Sequence, residues 1–152
     1  MPAAVGQPAP DFSLRANTGD TVSLGDLKGS KALIAFIPFP HTGICDNEAC
    51  ALRDDYSSLS ADGSKVVIIT AHATPMNKAW AEQHNIPFPV LSDFWPHGAT
   101  AQAYGCFNEQ VGVPMRASYV LDADGIVREI IQTGSLGEQR DHAQYAKSLS
   151  AI

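Results

Sequence analysis

Apolar residues fall along this chain in short blocks, and the spacing within each block differs. Ala32-Leu33-Ile34-Ala35-Phe36-Ile37 is apolar throughout and stops at Pro38. A run of that length with a β-forming end predicts a strand covered on both faces. Val66-Val67-Ile68-Ile69-Thr70 predicts a second buried strand. Thr21-Val22-Ser23-Leu24 alternates after an Asn17-Thr18-Gly19-Asp20 turn, which predicts a short half-buried strand. Phe88 to Leu91 predicts another, whose flanking prolines suit an edge or a strand start. Ala117–Leu121 and Ile126–Gln132 flank Asp122-Ala123-Asp124-Gly125, the pattern of a hairpin with Asp-Gly at its turn.

Helical spacing separates these strands. From Cys45 onward, Ala49, Leu52, Tyr56 and Leu59 recur three or four residues apart, which predicts one buried helix face. Thr74-Pro75 predicts an N-cap followed by proline at the first helical position. That helix should turn Ala79 and Trp80 inward and end near His84-Asn85. Gly98 to Tyr104 predicts a short helix. Ser135-Leu136-Gly137-Glu138 has the form of a capping box opening a last helix that reaches Leu149. Strands alternating with helices, then a hairpin and a helix, predict an α/β sandwich. The order matches a thioredoxin-like fold, a central mixed β-sheet flanked by helices, with an N-terminal extension. No repeat, low-complexity tract or long linker divides the chain, so residues 1–152 are expected to form a single domain.

Composition narrows the function. Apolar residues are 45% and charged residues 17% of the chain, a globular balance. The net charge of −6 comes with no basic block, which argues against a nucleic-acid partner. No apolar run approaches the ~20 residues that a membrane helix needs. Met1 to Gly6 has neither the basic nor the apolar part of an export signal, so a reducing cytoplasm is the expected compartment. Three cysteines (Cys45, Cys50 and Cys106) are too few and too uneven for a secreted disulfide scaffold. In a reducing compartment, a close cysteine pair points to metal or redox chemistry. His72, His84, His97 and His142 form no recognised metal spacing, and a His41/Cys45/Cys50 site lacks an obvious fourth ligand. No metal or cofactor is therefore expected.

The segment with the most chemistry is Pro38-Phe39-Pro40-His41-Thr42-Gly43-Ile44-Cys45. A buried strand ends, a proline-rich loop follows, and a helix begins at or just before Cys45. Free N–H groups and the positive end of the helix dipole favour a thiolate at such a position. Thr42, three residues earlier, brings a hydroxyl able to donate to that sulfur or to bond a peroxide oxygen. Attack on an O–O bond needs an ionised sulfur, an aligned substrate and donors for the leaving oxygen. As a bare residue each of these has a plainer reading: a buried cysteine, a helix cap, a surface arginine at Arg116.

Pro38, Thr42 and Cys45 reproduce the Pro-x-x-x-Thr-x-x-Cys signature of peroxiredoxins. Gln7-Pro8-Ala9-Pro10-Asp11-Phe12-Ser13-Leu14 resembles that family's N-terminal strand segment. Leu91-Ser92-Asp93-Phe94-Trp95-Pro96-His97-Gly98, Ala103-Tyr104-Gly105 and Phe107-Asn108-Glu109-Gln110 resemble the alkyl hydroperoxide reductase E branch in particular. The resemblance covers nearly the whole chain. It implies a thiol-dependent peroxidase with Cys45 as the peroxidatic cysteine and Thr42 and Pro38 shaping its pocket. It also places Arg116, in Pro114-Met115-Arg116-Ala117-Ser118, as the active-site arginine, and Glu48 as a glutamate orienting an arginine, with Arg53 a further candidate for that network. Hydrogen peroxide, alkyl hydroperoxides and peroxynitrite are the implied substrates. Thioredoxin, mycoredoxin or a low-molecular-weight thiol is the implied reductant. Family members often pair near the active site, which makes Phe94-Trp95-Pro96 a candidate homodimer contact.

Cys50 departs from the E branch and resembles the peroxiredoxin Q, or bacterioferritin comigratory, group. Five residues of helix separate two side chains by ~140° in direction and ~7.5 Å along the axis. A disulfide needs Cα atoms within ~7 Å and facing Cβ vectors. Two readings follow. Either Cys45 is oxidised and the helix unwinds to let Cys50 resolve it as a disulfide, or Cys50 packs in the helix and an external thiol resolves Cys45. Cys106 is expected to be a small packing residue. Competing functions on the same fold are a thiol–disulfide oxidoreductase, disfavoured by the lack of Cys-x-x-Cys, a redox-regulated chaperone, and a metal-binding domain.

Overall fold

The computed structural model describes residues 2–152. Seven strands form one sheet in the order β2-β1-β5-β4-β3-β8-β9. They are β1 (Ser13–Ala16), β2 (Thr21–Ser23), β3 (Ala32–Ile37), β4 (Lys65–Thr70), β5 (Val90–Ser92), β8 (Ala117–Leu121) and β9 (Val127–Gln132). The central strands β3, β4 and β5 run parallel, and the pairs outside them are antiparallel, so the sheet is mixed. A separate two-stranded ribbon pairs β6 (Phe107–Asn108) with β7 (Val113–Pro114).

Every residue of β3 is buried because helices cover both faces of the sheet. Leu33, Ala35 and Ile37 point to the layer that holds α2 (Gly43–Leu59), α3 (Thr74–Gln83) and α5 (Ala143–Ser150). Ile34 and Phe36 point to the opposite layer with α1 (Leu24–Leu27) and α4 (Ala99–Tyr104). This period-2 division sends successive β3 side chains into two separate cores. It also carries the chain out of β3 on the side where α2 must start. The arrangement is the thioredoxin-like one, with β1 and β2 as the N-terminal extension.

The structure corrects several local expectations. The short strand is Val90–Ser92, not Phe88–Leu91; Phe88 instead fills the core beside Tyr56. Ala73 caps α3 and Thr74 is its first residue, so Pro75 sits one place later than expected. The inward residues of α3 are Asn77, Trp80 and Ala81, while Ala79 faces solvent. Asn77 earns its buried place by accepting from the Thr70 hydroxyl at 2.7 Å and donating to the Leu91 carbonyl at 3.3 Å, which ties α3 to two strands. Ser135 to Glu138 forms only a turn, and the last helix begins at Ala143. Its backbone groups are already engaged elsewhere, as the site makes clear.

Candidate active site

Cys45 is the third residue of α2 and lies on its inward face with Ala49 and Leu52. Its sulfur has no exposed surface. The cause is its place on the helix: the face that carries Cys45 is the same apolar face that seals α2 onto β3. Two donors reach the sulfur, the Phe39 backbone N–H at 3.2 Å and the Arg116 Nη1 at 3.1 Å. The first comes from the loop between Pro38 and Pro40, and both prolines are buried. A proline cannot donate from its backbone, so Phe39 supplies the loop's N–H to the sulfur.

Thr42 is the N-cap residue of α2 but makes no side-chain cap bond. Its hydroxyl donates to the Phe39 carbonyl at 2.5 Å, not to Cys45. The reason is the turn itself. His41 adopts φ 70°, which folds the loop back and puts the Thr42 hydroxyl over Phe39. The hydroxyl therefore fixes the residue whose N–H reaches the sulfur, and its exposed position leaves it open to a ligand.

Arg116 comes from the residue just before β8 and is buried. Its Nε donates to the Leu136 carbonyl at 2.6 Å, and its Nη1 donates to Glu48 Oε1 at 2.7 Å as well as to Cys45. Glu48 lies one turn after Cys45 on α2, with its carboxylate in the same buried space. Burial would raise its pKa, but bonds and charge from Arg140, with a bond from Arg116, hold it below the usual carboxylate range.

Arg140 was not singled out by its sequence. It donates from Nε to Glu48 Oε2 at 2.8 Å and from Nη2 to Oε1 at 2.8 Å, a two-pronged pairing. Its backbone N–H also reaches Oε2 at 3.0 Å, and Nη1 reaches the Ser118 hydroxyl at 3.0 Å. Burial opposes its charge, and the Glu48 carboxylate overrides burial, so its pKa is raised. Two guanidinium groups thus share one carboxylate within a turn of the sulfur. Arg53, by contrast, does not join them: it turns outward to Asp54 and to the His84 carbonyl.

The other cysteines differ sharply. Cys50 is half-buried on the far side of α2, with its sulfur 3.6 Å from His84 Nδ1. All three cysteines are free thiols. Cys106 lies in the opposite core layer, where burial pushes its thiol up to about 12. It should therefore stay protonated and unlabelled when the native protein is treated with iodoacetamide at neutral pH, and peptide mapping checks this. Labelling of Cys106 at the rate of Cys50 would contradict it. A cavity of about 590 Å³ lies between α2 and α5, lined by Ser58, Leu59 and Leu149 among others, and does not include Cys45.

A thioredoxin-like sheet that carries a helix-terminal cysteine, with an arginine on its sulfur, defines the class of thiol-dependent peroxidases, and this chain is one. It belongs to the AhpC/TSA family, whose model matches residues 5–130. Alkyl hydroperoxide reductase E of Mycobacterium tuberculosis is 42% identical over 149 residues, 97% of this chain and 97% of that protein. The putative peroxiredoxin bcp of Coxiella burnetii is 32% identical over 136 residues, 86% of this chain and 89% of that protein. The crystal structure of peroxidoxin BcpB from Mycobacterium tuberculosis matches with a TM-score of 0.86 at 26% identity, across 99% of this chain and 98% of that one. A hydroperoxide substrate and a thiol reductant follow from membership of the family. No helix among the described residues is long and apolar enough to cross a membrane.

Proposed function

We propose that Cys45 is the peroxidatic cysteine and reduces hydrogen peroxide and alkyl hydroperoxides, peroxynitrite included among the oxidants it accepts. The observation that carries this reading is the Arg116 Nη1 at 3.1 Å from the sulfur, on a guanidinium that Glu48 and Leu136 hold in place. The thiolate electron pair attacks the terminal peroxide oxygen, the S–O bond forms and the O–O bond breaks. The departing oxygen leaves as water or an alcohol once it takes up a proton. Arg116 and the Phe39 N–H lie where negative charge moves from sulfur to oxygen, and Thr42 and Pro38 shape the approach. Because the sulfur is fully covered, the first turn of α2 must loosen for peroxide to enter.

Recycling runs through Cys50. Cys45 sulfenic acid is resolved as a Cys45–Cys50 disulfide after local unwinding of α2, and thioredoxin, mycoredoxin or a small thiol then reduces it. The half-buried position of Cys50 on α2 supports this against Cys106, which is sealed in the other layer. The protein works as a homodimer in a reducing cytoplasm; Trp95 at 81% exposed and Phe94 at 50% offer an apolar contact near the C-terminal end of β5.

Trapping tests both parts. With Cys50 replaced by serine, one equivalent of peroxide followed by dimedone should place the adduct on Cys45. In the unaltered protein the same treatment should yield no adduct and an intramolecular disulfide. An adduct on another residue sinks the assignment of Cys45; a persistent Cys45 adduct with Cys50 intact sinks only the resolving role.

A further inference from the structure

Around Cys50 the structure assembles side chains that make no bond to the Cys45 sulfur. His84, just past the end of α3, faces Cys50 through Nδ1 at 3.6 Å. Its other nitrogen, Nε2, lies 3.3 Å from Asp46 Oδ2. That nitrogen is buried and has no hydrogen-bond partner of regular geometry, so the carboxylate acts on it through charge. Asp46 is itself fixed, since its Oδ1 accepts the Trp80 Nε1–H at 2.8 Å and the His41 backbone N–H at 3.0 Å. The end of α3 is held as well: Arg53 Nη1 donates to the His84 carbonyl at 2.8 Å, and the Trp80 ring meets the imidazole edge-on at 6.1 Å.

We propose that His84 is the base that takes the proton from Cys50, and that Asp46 positions His84 for this. The proposal rests on Cys50 being the resolving thiol and says how that thiol is made reactive. A carboxylate beside Nε2 favours the tautomer with its hydrogen there, which leaves the Nδ1 lone pair facing the thiol. The same carboxylate stabilises the imidazolium once the proton arrives. The charged groups around the pair are Asp46 and Arg53 from α2, with Arg53 already paired to Asp54. Arg53 adds a positive charge on the Cys50 side, which also favours a thiolate.

The step balances without any outside reagent. Cys50 gives its proton to His84 Nδ1 in the folded, reduced helix. When the first turn of α2 opens, the Cys50 thiolate attacks the sulfur of Cys45 sulfenic acid. The S–S bond forms and the S–O bond breaks. Hydroxide leaves and takes the proton back from Nδ1 as water. Cys50 is oxidised, and the sulfenic sulfur is reduced to the disulfide level. Nucleophile and base thus sit on separate elements: α2 carries the thiol, while the end of α3 holds the imidazole against it.

Two measurements test the proposal. In a Cys45→Ser background, Cys50 is the one thiol free to react, and its alkylation by iodoacetamide reads the Cys50–His84 pair alone. His84→Gln should slow that alkylation about tenfold at neutral pH, because the imidazole that takes the Cys50 proton is gone. The difference should vanish at high pH, where any thiol ionises. Asp46→Asn should give a smaller slowing of the same kind. A merely structural histidine would leave the pH profile unmoved, and a profile unchanged by His84→Gln overturns the proposal. In the chain with Cys45 intact, disulfide formation after a peroxide pulse, read from tryptophan fluorescence, should slow about as much, while dimedone added with the pulse should still trap Cys45 sulfenic acid. If the unaltered protein forms no disulfide, the resolving role of Cys50 fails, and this proposal with it. That failure is told apart from a failure of His84 because alkylation does not depend on resolution.

Discussion

Cys45→Ser should abolish hydroperoxide reduction in stopped-flow assays, and neither remaining cysteine should take its place. A serine hydroxyl in the same position stays protonated and has no soft, polarisable pair to offer the O–O bond. Cys50 is on the wrong side of α2 to use Arg116, and Cys106 is protonated in the other core layer. Arg116→Ala keeps the nucleophile but removes the side-chain donor from the sulfur, so the rate constant with peroxide should fall by about 10²- to 10³-fold, the usual loss for one preorganised donor. Arg116→Lys should recover little of it. The guanidinium serves Cys45, Glu48 and the Leu136 carbonyl at once from a planar fork, and an ammonium is a single point charge on a flexible stem. A Cys45→Ser variant that still consumes peroxide at a measurable rate would move the chemistry to another residue.

The parts of this molecule that depend on near neighbours could be read from its sequence. Ala32–Ile37 and Val66–Thr70 are strands because a run of that length must be covered on both sides, and the Asp-Gly turn pairs β8 with β9. Cys45, Thr42 and Pro38 share one short segment, so their proximity was fixed by spacing. Arg116 and Glu48 were found through a family resemblance, since their meeting joins residues 68 positions apart. Arg140 left no such trace: an arginine in an irregular stretch has no period to betray it, and its partner is 92 positions away. The misplaced start of the last helix has the same origin. Ser135-Leu136-Gly137-Glu138 looks like a capping box, but the Leu136 carbonyl accepts from Arg116 and the Arg140 N–H donates to Glu48. Backbone groups that bind the site cannot also close helical turns, and the helix waits until Ala143. His84 was passed over for a related reason, because its contact with Cys50 spans 34 positions.

Glu48→Ala should be among the most destabilising single changes in the chain, at about 3–5 kcal/mol, the range for removing one partner of a buried ion pair. The cause is what remains: Arg116 and Arg140 would both be left charged and buried with no carboxylate between them. Glu48→Gln keeps the shape and one acceptor, so it should fold while losing most of the charge compensation. Urea unfolding at several pH values checks the origin of the effect. The folded Glu48 carboxyl lies below its ordinary value of 4.5, so its contribution is complete above that pH and is lost as pH falls from there through the folded value. The gap in stability between the native protein and Glu48→Gln should accordingly be widest near neutrality and should close in acid. A gap independent of pH would mean that packing, and not charge, keeps Glu48 in place. The peroxidase rate of Glu48→Gln should also drop, because an Arg116 no longer held from one side spends less time on the sulfur. Loss of rate with the stability gap confined to neutral pH would place both effects in one carboxylate, which organises the arginine for catalysis and neutralises the cost of burying it.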